Sequence, residues 1–581
     1  MINLKINGIP AEVEEGTTVL NAAKSVGVKI PTLCYHPDLT PFASCGMCIC
    51  KQEGNKKIIR ACSTPASEGM SVITNDAELF QVRKTILEMT LSTHPASCLV
   101  CIRNGNCELQ TLAAEFGIRE IPYAPNVSDA PVDDSTPSIV LDPAKCIKCG
   151  RCVQVCQELQ GVYALEFIGR GDKTTMSPAA SLRLNDSPCV KCGQCVVHCP
   201  VGAIHEKDQT DEFRMAVADP SKHVVVQMAP ATRVGISEEF DLPAGTVSTG
   251  KLYASLRALG CDTVFDTNFG ADLTIMEEGS EFVKRLTTEG SVLPQFTSCC
   301  PSWVDYCEKY YPELNENLSS AKSPMMMQGA ITKTYYAQAS KIDPKDIYSV
   351  AIMPCTAKKF ERGRDDNMKS SGYDDVDLVL TTRELGRLMR SQGIDLREMH
   401  DEEADNPIGE YTGAGTIFGV TGGVMEAAVR TAYHLVTGEE LDKVEINAVR
   451  GMESIRKGEV DIKGTKVRVA LVHGLANAKP ICEEVLEAKR AGKPAPYDFI
   501  EVMACRGGCI AGGGQPYGTT DETRSQRIEG LYEDDEHSAL RKSHENPYIQ
   551  KIYGDYLEEP LSHKAHKLLH TTYEKRPIYK A

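Results

Sequence analysis

Cys146-Ile147-Lys148-Cys149-Gly150-Arg151-Cys152-Val153-Gln154-Val155-Cys156 and Cys189-Val190-Lys191-Cys192-Gly193-Gln194-Cys195-Val196-Val197-His198-Cys199-Pro200 are one pattern written twice, with cysteines at intervals of three, three and four residues. Such close spacing suits metal ligation in a reducing compartment. The whole chain has this texture, with 24 cysteines in 581 residues. A disulfide framework belongs to small secreted domains, and a chain of this length instead divides into several domains with cores of their own. Its hydrophobic fraction of 42% is ordinary, and no apolar run is long enough to span a bilayer. Ile2, Leu4 and Ile6 alternate with polar residues, which reads as a strand and not as a signal peptide. The net charge of −17 argues against nucleic acid as a partner, since phosphate binding needs clustered cations. Lys56, Lys57 and Arg60 form a small basic group, either a solvated face or a dock for an acidic electron carrier. Composition thus describes a cytoplasmic metalloprotein with no membrane partner.

The repeated run resembles the bacterial two-cluster ferredoxin, in which the fourth cysteine of each run ligates the other run's cluster. That resemblance implies two 4Fe–4S clusters, one on Cys146, Cys149, Cys152 and Cys199, its twin on Cys189, Cys192, Cys195 and Cys156. Gln157 stands where the first run would have its proline, and the insert between the runs is long. Neither departure touches a ligand.

Upstream lie Cys98, Cys101 and Cys107, preceded by His94-Pro95. A lone histidine is usually a satisfied polar residue, but three cysteines need a fourth donor. The spacing resembles the His-plus-three-Cys 4Fe–4S site of complex I large subunits, which implies ligation by His94. A neutral imidazole in place of a thiolate should raise the cluster's potential. Further upstream, Asn7-Gly8 is a hairpin signal, and Thr18 is a candidate cap for a short helix over Val19 to Val26, stopped by Gly27. Cys34, Cys45, Cys48 and Cys62 follow, in an arrangement resembling plant-type ferredoxins although the spacing is not matched residue for residue. The resemblance implies a 2Fe–2S cluster, with structural zinc as the alternative.

Downstream of about residue 215, apolar runs alternate with helical stretches: His223 to Met228, Asp262 to Phe265, Tyr348 to Met353, Val467 to Val472 and Tyr497 to Met503. A helix over Val424 to Thr437, with Thr421 as its cap, is typical of the segments between them. This predicts an α/β domain with a mainly parallel sheet, whose ligands gather beyond the carboxyl ends of strands. Three cysteine motifs follow apolar runs: Thr297-Ser298-Cys299-Cys300-Pro301-Ser302-Trp303, Met353-Pro354-Cys355-Thr356-Ala357-Lys358, and Glu501-Val502-Met503-Ala504-Cys505-Arg506-Gly507-Gly508-Cys509 running into Gly512-Gly513-Gly514. The glycine run lacks the ending of a phosphate-binding loop, and close backbone approach to a cluster explains it better. Gly413-Ala414-Gly415 lacks the third glycine of a dinucleotide turn.

Together the three motifs resemble the signature of the catalytic domain of iron-only (FeFe) hydrogenases, and the accessory modules extend the likeness over most of the chain. The resemblance implies an H-cluster, a 4Fe–4S cube joined to a di-iron unit that bears carbonyl, cyanide and a bridging dithiolate amine. Its implied ligands are Cys300, Cys355, Cys505 and Cys509, the last bridging to the di-iron unit. Cys299 is implied as the thiol that passes protons, followed by Glu278, Ser319 and Glu281. By charge pattern alone the two glutamates, one helical turn apart, would be a solvated face. Lys358 is placed to stabilise an anionic, cyanide-bearing cluster. Met353 and Met503 either pack against the di-iron unit or fill core. Cys50, Cys261, Cys307 and Cys482 remain without a role.

The expected architecture is multidomain α+β and α/β, with N-terminal ferredoxin-like modules before a large α/β catalytic domain. Its divisions are a plant-type 2Fe–2S domain at 1–78, a His/Cys₃ 4Fe–4S domain at 79–122, a two-cluster domain at 137–209, the H-cluster domain at 215–540 and a helical tail at 541–581. In that tail His563, His566 and His570 share one helix face, read as a surface or docking helix. The implied activity is reversible hydrogen oxidation and proton reduction, with electrons relayed to ferredoxin or to flavin- and NAD(P)-binding partner subunits. The alternatives are an electron-relay subunit of a complex I-like or formate dehydrogenase assembly, and a hydrogen sensor.

Overall fold

Asn7 and Gly8 take φ of 52° and 81°, the two positive values that a tight hairpin turn requires. They join β1 (Ile2–Ile6) to β2 (Ile9–Val13), which with β3 (Ile49–Gln52), β4 (Ile58–Arg60) and β5 (Ser71–Ile73) form a five-stranded sheet. Thr18 Oγ1 accepts from the Asn21 amide at 3.3 Å and starts the helix Val19–Ser25. The computed structural model describes every residue except Lys56, Asp442 and Ala581. Lys56 of the basic group therefore lies outside the described residues, while Lys57 and Arg60 are exposed. Next come the helices Ala77–Ser92 and Glu108–Glu115, and then two small ribbons. One pairs β6 (Ile139–Leu141) with β9 (Ile204–Glu206), the other β7 (Glu166–Ile168) with β8 (Thr175–Ser177).

The C-terminal half contains β10 (His223–Met228), β11 (Thr263–Asp266), β12 (Gln295–Phe296), β13 (Ile347–Met353), β14 (Leu378–Thr381), β15 (Ile455–Ile462), β16 (Thr465–His473) and β17 (Phe499–Met503). These form two four-stranded sheets, in the orders β11-β10-β13-β14 and β12-β17-β16-β15, and not the single sheet expected. Every pairing is parallel except β15 with β16. The division is invisible in the sequence for a physical reason. Strands covered on both faces read as unbroken apolar runs, and β10, β11, β14 and β17 are buried along almost their whole length.

Thr421 does not cap the helix Gly423–Thr437. Gly422 is the N-cap at φ 92°, and a Cβ there would collide with the Val449 carbonyl. The buried Glu501 carboxylate, on β17, accepts from the Gly422 and Met425 amides at 2.5 and 2.8 Å. An anion from another strand thus meets both the orphan amides and the positive end of the helix dipole. Thr421 Oγ1 instead accepts from Arg456.

The tail differs from its expectation as well. The helix His563–Leu569 buries Ala565, Leu568 and Leu569, and His570 behind it is buried too, so the segment packs on the catalytic core. The three-and-four spacing of those apolar residues is the signal that the histidines obscured. No helix among the described residues is long and apolar enough to cross a membrane.

Buried ion pairs staple the helix Asp521–His537 to this core. Arg430 pairs with Glu426 and Asp535 at 2.7 and 2.9 Å, all fully buried, and Arg233 pairs with Asp266 and Asp534 at 2.8 and 3.0 Å. Truncating one member leaves uncompensated buried charge. Arg430→Ala should therefore cost about 3–5 kcal/mol, read as an earlier urea midpoint for loss of near-ultraviolet circular dichroism.

Candidate active site and cluster cavities

Cys300 follows β12 and begins the helix Pro301–Tyr310, Cys355 follows β13, and Cys505 and Cys509 follow β17. The ends of both sheets therefore deliver their cysteines to one place. All four line a single cavity of about 780 Å³, together with Cys299, Met353, Met503 and Lys358. The remaining lining includes Ala229, Pro230, Pro324 and Met325, so the walls are mainly apolar.

Glycines let the cysteine loops pack this closely. Side chains at Gly512 or Gly514 would strike Pro354, and one at Gly513 would strike the Cys192 carbonyl. The expected close approach is thus to the backbone of other cysteine loops. Gly193 sits at φ 71°, against Thr356 and Gly513. Its neighbour Gln194 donates Nε2–H to Cys505 Sγ at 3.1 Å and to the Ala511 carbonyl at 3.0 Å. One cysteine run of the ferredoxin-like module therefore touches the large cavity directly. Gly413 and Gly415 are needed for close contact with Asp535 and Asn268.

Smaller cavities gather the other cysteines. Cys156, Cys189, Cys192 and Cys195 line one of about 370 Å³, and Cys146, Cys149, Cys152 and Cys199 line another of about 310 Å³. The fourth cysteine of each run thus lies with the first three of the other. His94, Cys98, Cys101 and Cys107 share a third, of about 300 Å³, where His94 Nδ1 is buried without a hydrogen-bond partner. The Cys34 thiol is within hydrogen-bond reach of Cys45 and Cys62, and Cys48 is within reach of Cys62. Soft donors around spaces of similar size fit iron–sulfur cubes, and the unpartnered imidazole nitrogen fits a ligand to the third. Cys50, Cys261, Cys307 and Cys482 are buried away from these cavities.

Beside the large cavity, Lys358 donates to the Cys299 carbonyl at 3.1 Å and pairs with Glu361 at 2.7 Å. Burial, with Glu278 as the leading charge, pushes the Cys299 thiol well up, so it holds its proton. Glu278 and Glu281 lie on the helix Thr267–Thr287. Far from forming a solvated face, Glu278 is fully buried, with the Ser319 hydroxyl and the Ser298 amide as its polar neighbours and no well-formed hydrogen bond to either. Burial first, and then the charge of Glu281, push its carboxyl up to about 8. Ser319 Oγ donates to Glu281 Oε2 at 2.8 Å, and Glu281 pairs with Arg285 at 2.7 Å towards the surface. The sequence reading passed over Arg285, although its four-residue spacing from Glu281 was legible. It also missed Gln194, whose partner lies far along the chain.

Comparison with known proteins accords with this geometry. Residues 222–513 match the family described as iron-only hydrogenase large subunit, C-terminal domain, and 521–576 match iron hydrogenase small subunit. Residues 1–77 match a 2Fe-2S iron-sulfur cluster binding domain, in preference to a zinc site. Residues 83–122 match the NADH-ubiquinone oxidoreductase-G iron-sulfur binding region, and 145–203 a 4Fe-4S dicluster domain. The NADP-reducing hydrogenase subunit HndD of Solidesulfovibrio fructosivorans is 46% identical over 588 residues, covering 99% of each chain. Iron hydrogenase 1 of Clostridium pasteurianum is 41% identical, over 99% of this chain and 100% of its own. The solved [FeFe]-hydrogenase HydA1 of Chlamydomonas reinhardtii is 43% identical with a TM-score of 0.57, covering 64% of this chain and all of the other.

With its carboxyl at about 8, Glu278 holds its proton through neutrality and releases it only as the pH climbs past that value. Infrared spectra should therefore show a buried carboxylic-acid carbonyl band at neutral pH that fades under alkaline conditions. Glu278→Gln should remove the band at every pH. Titration near the ordinary value of 4.5 would mean that water reaches the carboxyl.

Proposed function

The chain belongs to the iron-only hydrogenase family, and from that premise we propose that it oxidises hydrogen and reduces protons reversibly at an H-cluster held by Cys300, Cys355, Cys505 and Cys509. The observation that carries this reading is the meeting of those thiols in one largely apolar cavity, with Cys299 beside them and free. Cys509 is proposed as the bridge to the di-iron unit. When bound, the H-cluster supplies the hydrogen-splitting chemistry and exchanges electrons through its cube.

The protein's own residues do the rest. The apolar walls exclude bulk water, and Met353 and Met503, which line the cavity, would pack against the di-iron unit. Lys358 places a buried ammonium beside an anionic group, where it is a strong charge-assisted donor. Cys299, kept protonated by burial, carries the proton at the cavity wall. On the outward path its proton moves to Glu278 as the Glu278 proton moves to Ser319 Oγ, and the serine hydroxyl proton goes to Glu281 beside Arg285. The poised carboxyl of Glu278 lies where a general acid–base group works best at neutral pH.

One 2Fe–2S and three accessory 4Fe–4S clusters would supply the electron path, and Gln194, which meets Cys505, would join its last module to the catalytic domain. The proposed ligands are Cys34, Cys45, Cys48 and Cys62 for the first, His94 with Cys98, Cys101 and Cys107 for the second, and the exchanged ferredoxin-like quartets for the remaining pair. Ferredoxin and flavin- and NAD(P)-binding subunits are the proposed partners, in a cytoplasmic assembly. Supporting this is the full-length similarity to a relative named as a subunit of an NADP-reducing hydrogenase.

The test is a viologen-linked hydrogen assay on anaerobically matured protein containing about twenty irons per chain and showing infrared bands of bound carbonyl and cyanide. Cys299→Ser should lower turnover by about a hundredfold or more with those bands retained. An inactive parent with the bands present would favour the sensor reading, and their absence would leave an electron relay. His94→Cys should lower the potential of its cluster in a redox titration.

A further inference from the structure

The residues after the helix His563–Leu569 run beside the loop that carries Ser319, and we infer that this C-terminal segment positions the proton relay. The inference rests on the relay reading above and extends it to residues that touch neither cluster nor substrate. Lys322 N–H donates to the Leu569 carbonyl and Thr571 N–H to the Ser320 carbonyl, both at 2.8 Å, around an antiparallel bridge between Ala321 and His570. The tail is thus joined to the relay's serine loop at a single antiparallel bridge.

Two side chains tighten that hold. Tyr573 O–H donates to the Ser319 carbonyl at 2.5 Å, and burial keeps the phenol protonated and therefore a donor. His570 bonds Ser320 Oγ through Nδ1 at 2.8 Å and Glu277 Oε2 through Nε2 at 2.9 Å. Glu277 precedes Glu278 on the relay helix, so His570 is a strut between that helix and the serine loop. The fully buried Glu277 carboxylate also accepts from Tyr553 O–H at 2.5 Å and from the Leu561 amide at 2.9 Å. Its other partners come from the residues that lead into the helix His563–Leu569.

The result of this clamp is local. Ser319 Oγ and the Ser320 amide both reach Glu281 Oε2, at 2.8 and 3.1 Å, across a gap that no covalent link sets. Proton transfer needs its heavy atoms at hydrogen-bond distance, and small misplacements are costly. A segment that merely covered the core would need apolar contacts alone. Here its buried polar groups bond the backbone and side chains at or beside two relay residues, Ser319 and Glu278. Tyr573 and His570 are positioning residues in this account.

The experiment compares Tyr573→Phe, His570→Leu and His570→Gln in the full-length, matured enzyme, with Ser319→Ala as reference. Hydrogen turnover, its solvent isotope effect and the carbonyl–cyanide bands are measured, together with the Glu278 acid band in the full chain before maturation. Tyr573→Phe and His570→Leu should slow turnover about tenfold to a hundredfold, raise the isotope effect and move the Glu278 band, with cluster bands unchanged. His570→Gln, whose amide can bridge both partners, should recover most of the loss. Parental turnover and isotope effect in both disruptive variants, while Ser319→Ala is crippled, would overturn the tail's role alone. Loss of turnover that only tracks loss of cluster bands would overturn it too, by reducing the tail to a folding element. Parental behaviour of Ser319→Ala would instead overturn the relay on which the inference stands.

Discussion

Four thiols from three distant stretches must meet in a mainly apolar space, and much of the catalytic half is arranged to make them do so. A lone strand end can offer one loop. Two mainly parallel sheets whose carboxyl ends face a common cavity can offer several, and β12, β13 and β17 deliver Cys300, Cys355, Cys505 and Cys509 in that way. The glycines after Cys509 follow from the same constraint, because Pro354 and Cys192 press against them. So does the Glu501 cap, which ties β17 to the helix Gly423–Thr437 just before the Cys505 loop.

Charge holds the modules in register around that centre. Asp305 pairs with both Lys191 and Lys309, at 2.8 and 3.0 Å, and Lys309 also donates to the Cys189 carbonyl. This joins a ferredoxin-like cysteine run to the helix that begins at Cys300. Asp38, close to Cys34, pairs with Arg506 and Arg524, while His198, next to Cys199, lies 3.7 Å from it. Three modules thus converge on one buried carboxylate, whose proton affinity is driven down chiefly by His198 and Arg524 against the cost of burial. Buried ion pairs of this kind fix how the modules sit against one another more sharply than apolar contact would.

The sequence disclosed what is local. Cysteine spacing, the Asn7-Gly8 hairpin, the Thr18 cap and the strand runs all lie within a few residues of their partners. The motif resemblance went further and anticipated the exchange of Cys156 and Cys199 between cavities. What stayed hidden is long-range. Thr421 looked like a cap because the carboxylate that meets the helix's first amides, Glu501, lies on another strand. Gln194 carries no sign of its contact with Cys505, and one sheet cannot be told from two when strands such as β10, β11, β14 and β17 are covered on both faces. The tail is a different case: the spacing of Ala565, Leu568 and Leu569 is that of a buried face, and the histidines interleaved with them give the same stretch a polar look. The proposed tail function depends on Ser319 and Glu277, which only the folded chain brings beside Tyr573 and His570.

The most direct test of the central claim is iron-edge anomalous diffraction from crystals of the matured protein. The account predicts contiguous iron density bounded by Cys300, Cys355, Cys505 and Cys509, with the Cys509 sulfur lying between a cube and a further iron pair. Density for a lone ion, or iron with no contact to one of those sulfurs, would contradict it.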